Sequence, residues 1–109
     1  MKREVITHNE IEGFHYYPDA PKFCAYLGNK HRHVFVVRCH FEVSHNEREI
    51  EIIDRQREIA ERVARQFGSP ADFGGFSCED IAEWLMVEFE DMVYCKVLED
   101  GYGGAALSR

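Results

Sequence analysis

The sequence predicts an α+β domain in which helices are segregated from an antiparallel sheet, and three observations carry that expectation. Residues 31–43 alternate apolar and polar positions, residues 53–67 switch to a helical period, and Ser77 to Asp80 opens a second helix with a capping signal. The 109 residues are the length of one domain, 1–109, and 45% hydrophobic with 13% aromatic content suits a packed core. A chain this short leaves much of its surface exposed, so pairing sheets between subunits would bury more.

Taken in order, residues 3–15 mix Val, Ile and Thr with polar positions and end in Gly13-Phe14-His15, a strand running into a loop. Tyr16 to Lys30 holds Pro18, Asp19, Pro21, Gly28 and Asn29, all turn formers, and is expected as an ordered surface loop. Its Tyr16, Tyr17, Phe23, Tyr26 and Leu27 are too apolar for disorder and should pack over something. His31 to Val43 gives the strongest strand signal, with His33, Phe35, Val37, Cys39, Phe41 and Val43 on one face, which should be the core. Ser44 to Arg48 then reads as a hairpin turn and Glu49 to Ile52 as the partner strand. From Ile53 to Phe67 the period becomes helical, with Ile52, Ile59, Val63 and Phe67 as the inner stripe and Arg57-Glu61, Glu58-Arg62 and Glu61-Arg65 pairs outside. Gly68 and Pro70 stop that helix.

Ser77 can cap the second helix, Asp80 completes a capping-box-like start, and Ile81, Leu85, Phe89 and Met92 form its buried stripe. A short strand, Val93 to Leu98, leads to Glu99, and the tail from Asp100 to Arg109 is rich in glycine and small residues.

Composition narrows the function classes. Acidic residues outnumber basic ones 20 to 13, a net charge of −7 that repels nucleic-acid phosphates. No run of eighteen apolar residues exists, and Met1-Lys2-Arg3-Glu4-Val5 lacks the apolar stretch of a signal peptide, so no membrane partner and a cytoplasmic location are expected. The four cysteines, Cys24, Cys39, Cys78 and Cys95, show no CxxC and are expected as thiols.

The chemistry concentrates in histidine. His31 and His33 stand two apart on one strand face, so their imidazoles can meet one metal ion, and His15 lies at another strand end. Three imidazoles with an open fourth position is the donor set catalytic zinc uses. The pattern equally fits ordinary hydrogen-bonded or solvated histidines in a chain that holds six.

Phe14-His15-Tyr16-Tyr17-Pro18, then Cys24, then His31-Arg32-His33 and a strand, resembles the front half of the 6-pyruvoyl-tetrahydropterin synthase and 6-carboxytetrahydropterin synthase family. Ile52-Ile53-Asp54 resembles that family's entry to its first helix, Ser77 to Leu85 its second helix, and Val97-Leu98-Glu99 its V-x-E-T strand end. The resemblance runs in order over residues 5–107. It implies the tunnelling fold: a four-stranded antiparallel sheet with two helices on one face, subunits joined edge to edge into a homo-oligomeric barrel, a hexamer of two trimers. It also implies zinc on His15, His31 and His33, a ring anchor at Glu99 and an active-site thiol at Cys24. Taken alone, Glu99 could be a solvated strand-end carboxylate and Cys24 a small buried hydrophobe.

Two positions depart from the family pattern. The loop Gly68 to Phe76 lacks the Asp-His pair that completes the family's proton relay, with Asp72 the only acid there, and no histidine follows His45. Arg32 replaces the glycine between the metal histidines. The resemblance implies a zinc-dependent lyase of the pterin or deazapurine (queuosine) route, acting on 7,8-dihydroneopterin triphosphate or a related pterin. The missing pair makes a non-catalytic pterin, purine or nucleotide binder the alternative, and a structural module whose histidines only satisfy hydrogen bonds a third.

Overall fold

The computed structural model describes residues 1–109. In chain order it comprises β1 (Arg3–His15), a short 3-10 helix (Lys22–Gly28), β2 (His31–Val43), α1 (Ile52–Phe67), β3 (Ala71–Asp72), α2 (Cys78–Glu88), β4 (Met92–Glu99) and β5 (Gly103–Ser108). The α+β class stands. The sheet, however, has five strands in the order β3-β1-β2-β4-β5, and it is mixed because β3 runs parallel to β1. No helix is long and apolar enough to cross a membrane.

β1 and β2 pair antiparallel in unbroken register from Arg3 opposite Val43 to His15 opposite His31. β4 takes the other edge of β2, with Phe35 opposite Glu99. Because both edges of β2 are occupied by these longer strands, the hairpin expected with Glu49–Ile52 does not form. Glu49 instead accepts hydrogen bonds from the Ser44 backbone N–H (2.9 Å) and hydroxyl (2.7 Å), tightening the turn, while Glu51 caps α1 by accepting from the Asp54 N–H at 2.6 Å. Four alternating residues cannot compete with a ladder already satisfied on both sides.

The carboxy-terminal tail is the second correction. Gly103 to Ser108 forms the edge strand β5 against β4, entered by a tight turn in which Asp100 (φ 54°) and Gly101 (φ 81°) are left-handed and the Tyr102 N–H bonds the Glu99 carbonyl at 3.0 Å. Positive φ at both central residues is the conformation of a type I′ hairpin, which Asp-Gly favours. Gly104 is required there: a Cβ would lie 1.8 Å from the Val97 carbonyl oxygen.

Phe35, Val37, Cys39 and Phe41 are fully buried on one face of β2, and Ile59 and Val63 of α1 and Ile81 and Leu85 of α2 pack on them in a single core cluster. Both helices therefore cover that face. Of the stripe expected for α2, Ile81 and Leu85 are buried on the helix and Phe89 at its C-cap, but Met92 is buried as the first residue of β4, and Ile52 is exposed at the start of α1. The capping box forms as expected, Ser77 Oγ accepting from the Asp80 N–H at 3.1 Å and Asp80 from the Ser77 N–H at 3.0 Å.

Candidate metal centre

Register places the site. On a pleated pair, directly opposed residues share a face, so His15 opposite His31, Gly13 opposite His33 and Glu99 opposite Phe35 all lie on the core face, one step beyond the last core ring. Gly13 lets β1 and β3 close over the floor of the site, since a Cβ there would lie 2.9 Å from the Ala71 carbonyl oxygen and press on the Phe73 and Phe35 rings. Phe35 forms the floor: the His15 and His33 rings meet it edge-on with centroids 5.1 and 5.6 Å away. The three imidazole centroids stand 4.6, 5.3 and 5.0 Å apart. They close a near-regular triangle.

Each imidazole is oriented through Nδ1. That of His15 faces the Phe76 carbonyl at 2.8 Å, that of His31 the Asn29 carbonyl at 2.8 Å, and that of His33 the Asp100 carboxylate at 2.6 Å. All three partners only accept, so every Nδ1 carries a proton, and in the neutral ring it is Nε2 that presents a lone pair. This is the arrangement in which histidine ligates metal. The ligand atoms of His15, His31, His33 and Glu99 lie within 4.8 Å of one another, a group that could hold a metal ion.

His15 supplies the test of fit. It is 6% exposed, and its Nε2 is buried without a hydrogen-bond partner, although a Glu99 oxygen lies 2.9 Å away. With the proton of the neutral ring on Nδ1, the Nε2 lone pair meets the carboxylate and neither can donate. Protonating the ring would cure this, but burial holds the His15 pKa below its ordinary value. A cation between nitrogen and carboxylate resolves the conflict, and imidazole with carboxylate is a donor set divalent transition metals accept.

A cavity of about 670 Å³ opens above the centre, lined by the three histidines and Glu99 on one side and by Tyr16, Tyr17, Leu27 and Phe76 on another. Its volume suits a small heterocycle. The first turn of α2 adds Ser77, Cys78 and Glu79 to the wall. Burial first, and then the Glu99 and Glu79 charges, push the Cys78 thiol up to about 12, so it remains a protonated donor beside Glu99.

The sequence expectations divide here. His15, His31, His33 and Glu99 come together. Glu99 does so facing the histidines, where its oxygens lie 2.9 Å from His15 Nε2 and 3.7 Å from His33 Nε2. Cys24 is buried at a kink in the 3-10 helix and is not among the residues lining the cavity. Asp72 is engaged by Lys30 Nζ at 2.7 Å and by the Gly74 N–H at 3.1 Å, also off the lining. Arg32 turns to the opposite face and pairs with Glu12 at 3.1 Å. His40 pairs with Glu4 and His45 with Glu49, so neither stands in for the absent relay imidazole within this chain. Of the loop aromatics, Tyr16 and Tyr17 line the cavity, while Phe23 and Tyr26 are exposed rather than packed. Cys78, Asp100 and the Phe76 carbonyl were not singled out by sequence. Cys78 was hidden inside a capping motif, and a backbone carbonyl leaves no residue signal.

No protein-family model matches the chain, and no curated protein matches it.

Proposed function

We propose that this chain binds one divalent metal, zinc, through His15, His31 and His33 with Glu99, and acts with it on a small pterin-like ring held in the adjoining cavity. The observation that carries the reading is the buried His15 Nε2, which faces a carboxylate with no proton to share. Zinc so bound would act as a Lewis acid toward substrate oxygen. The chain's own residues orient and enclose. Phe35 excludes water from beneath, the three Nδ1 partners fix the rings, and the tyrosines offer flat apolar contact to a heterocycle.

The resemblance to the tetrahydropterin synthases favours lyase chemistry on 7,8-dihydroneopterin triphosphate or a relative, and an edge-to-edge oligomeric barrel. In that reading Cys24 would exchange a proton on the substrate side chain, although it stands outside the cavity lining of the single chain. Glu99 was expected to hold the ring. Its place among the histidines favours metal contact, which leaves Glu79, on the cavity wall in the first turn of α2, as the carboxylate with oxygens to spare for ring N–H groups.

The second reading is a binding protein on the same site without turnover. What favours it is the state of the relay: Asp72 is committed to Lys30, and no imidazole stands in the loop before α2. Metal analysis of purified protein, calorimetric titration with pterins and purine nucleotides, and a turnover assay with dihydroneopterin triphosphate separate the readings. Close to one zinc per chain with turnover supports the lyase. Zinc and ligand affinity without turnover supports the binder, and absence of zinc after zinc-supplemented expression overturns both.

A further inference from the structure

The three histidines are not oriented alike. His15 and His31 donate from Nδ1 to neutral backbone carbonyls, whereas His33 donates to a carboxylate, that of Asp100, at 2.6 Å. Asp100 is itself held. Its other oxygen accepts from the Val34 N–H at 2.8 Å, and its own N–H bonds the Val34 carbonyl at 2.8 Å.

The backbone explains how it reaches. Successive residues of a strand point to opposite faces, so Glu99 and Asp100 should not address the same imidazole. Asp100 departs from the strand at φ 54°, and this left-handed turn swings its carboxylate back to His33 Nδ1 while Glu99 stands 3.7 Å from Nε2. Consecutive carboxylates thus face the two nitrogens of one ring, Asp100 bonded at Nδ1 and Glu99 across the ion site from Nε2.

We infer that Asp100 is the positioning residue of the metal centre, gripping His33 through Nδ1 so that its Nε2 is aimed at the ion. The inference rests on the reading of the histidine cluster as a metal site. A carboxylate behind a ligating imidazole fixes its tautomer and strengthens it as a donor, and removing such a partner costs metal affinity ten- to hundredfold. The competing explanation is that Asp100 serves only the turn, since Asp-Gly is a preferred type I′ pair.

Asp100→Asn separates the two. Asn-Gly is at least as good a turn, so a turn role predicts no change, whereas asparagine lacks the charge and has one acceptor oxygen for two donors. Zinc affinity of the full chain is measured by chelator competition, with the imidazole N–H resonances of the zinc-loaded protein recorded beside it. The expected result is ten- to hundredfold weaker zinc binding in Asp100→Asn, with the His33 Nδ1–H resonance moved upfield and those of His15 and His31 in place. Asp100→Gly, which accepts the left-handed backbone and has no oxygen to offer, should bind at least as weakly. Wild type that binds no zinc overturns the metal reading itself. Wild type that binds zinc, with Asp100→Asn equal in affinity and spectrum, overturns this inference alone, and so does loss of folding in both variants, since Asp100 would then hold the chain and not the ligand.

Discussion

Glu99 Oε2, on the cavity wall, lies 2.9 Å from the buried His15 Nε2 with no hydrogen bond between them. Two acceptors this close repel unless a cation joins them, and the fold supplies no side chain to do it. A buried polar atom left unpaired costs about 1–3 kcal/mol, so binding a metal should stabilise the folded chain directly. At zinc a thousandfold above its dissociation constant the gain is about 4 kcal/mol, and for a domain of this size each kcal/mol raises the melting temperature by roughly 4–8 °C. Calorimetric melting with and without zinc should show that rise in wild type. His31→Ala, His33→Ala together should remove it, and a double variant that still responds in full would place the metal elsewhere.

A second expectation concerns the edge strand. Gly104→Ala forces a Cβ to within 1.8 Å of the Val97 carbonyl, whereas a Cβ at Gly103 meets nothing within 4 Å. Backbone cannot yield as a flexible side chain does, so Gly104→Ala should lose about 1–3 kcal/mol or unzip β5 outright. Gly103→Ala should stay within about 0.5 kcal/mol of wild type. Urea midpoints of the two variants check the pair, and equal midpoints would mean β5 is not bound to β4 as described.

How far the sequence could be read follows from which signals are local. The β2 face and the α2 stripe were legible because Phe35, Val37, Cys39 and Phe41, like Ile81 and Leu85, repeat at fixed periods and are buried as those periods require, whereas Met92, read into the same stripe, is buried through β4. His31 and His33 were legible as a pair for the same reason, and His15 joins them through pairing of β1 with β2. Glu49 to Ile52 also alternates, but alternation says nothing of whether a neighbouring strand has a free edge. Asp100-Gly101 carried a turn signal that was readable in advance and was absorbed into a glycine-rich tail, so β5 was missed. The reach of Asp100 back to His33 depends on that turn, and the partner carbonyls of Asn29 and Phe76 belong to the path of the chain and to no residue type.

A third prediction follows from Asp72. The Lys30 ammonium and the Gly74 N–H hold its carboxyl below the ordinary aspartate range. The sign is that of a depressed acid: the folded chain binds fewer protons than the unfolded one, so the contribution is fully present above the unfolded pKa of about 3.9. It is lost as pH falls through the lower folded value. The contact also ties the segment before α2 to the end of the surface loop. Lys30→Met should flatten the acid limb of the stability profile below about pH 4 while leaving stability at pH 7 nearly unchanged, as suits an exposed pair. Thermal melts of both proteins between pH 2 and 7 measure this, and identical acid limbs would show that the pair carries no share.

The last prediction separates metal, ring and proton chemistry at the three acidic or thiol positions. Glu99 faces the histidine nitrogens, so Glu99→Gln should weaken zinc and any ring ligand together, because the amide keeps the shape but loses the charge. Glu79 lines the same cavity from α2, outside the group of ligand atoms, so Glu79→Gln should leave zinc in place and weaken ligand alone. Loss of a charge-assisted pair to a ring edge amounts to roughly 2 to 4 kcal/mol, or about thirtyfold to a thousandfold in affinity. Cys24→Ala should touch neither affinity. On the lyase reading it abolishes turnover of dihydroneopterin triphosphate with binding intact, since a proton carrier acts only in the chemical step. On the binder reading it changes nothing, because wild type does not turn over. Titrating zinc and then pterins or purine nucleotides into the three variants and wild type, beside one turnover assay, gives each position its own signature. If Glu99→Gln keeps zinc at full affinity yet loses the ring, Glu99 is the ring anchor and the metal rests on the histidines alone. If Glu79→Gln is the variant that loses the ring with zinc undisturbed, recognition falls to the first turn of α2, and Glu99 belongs to the metal.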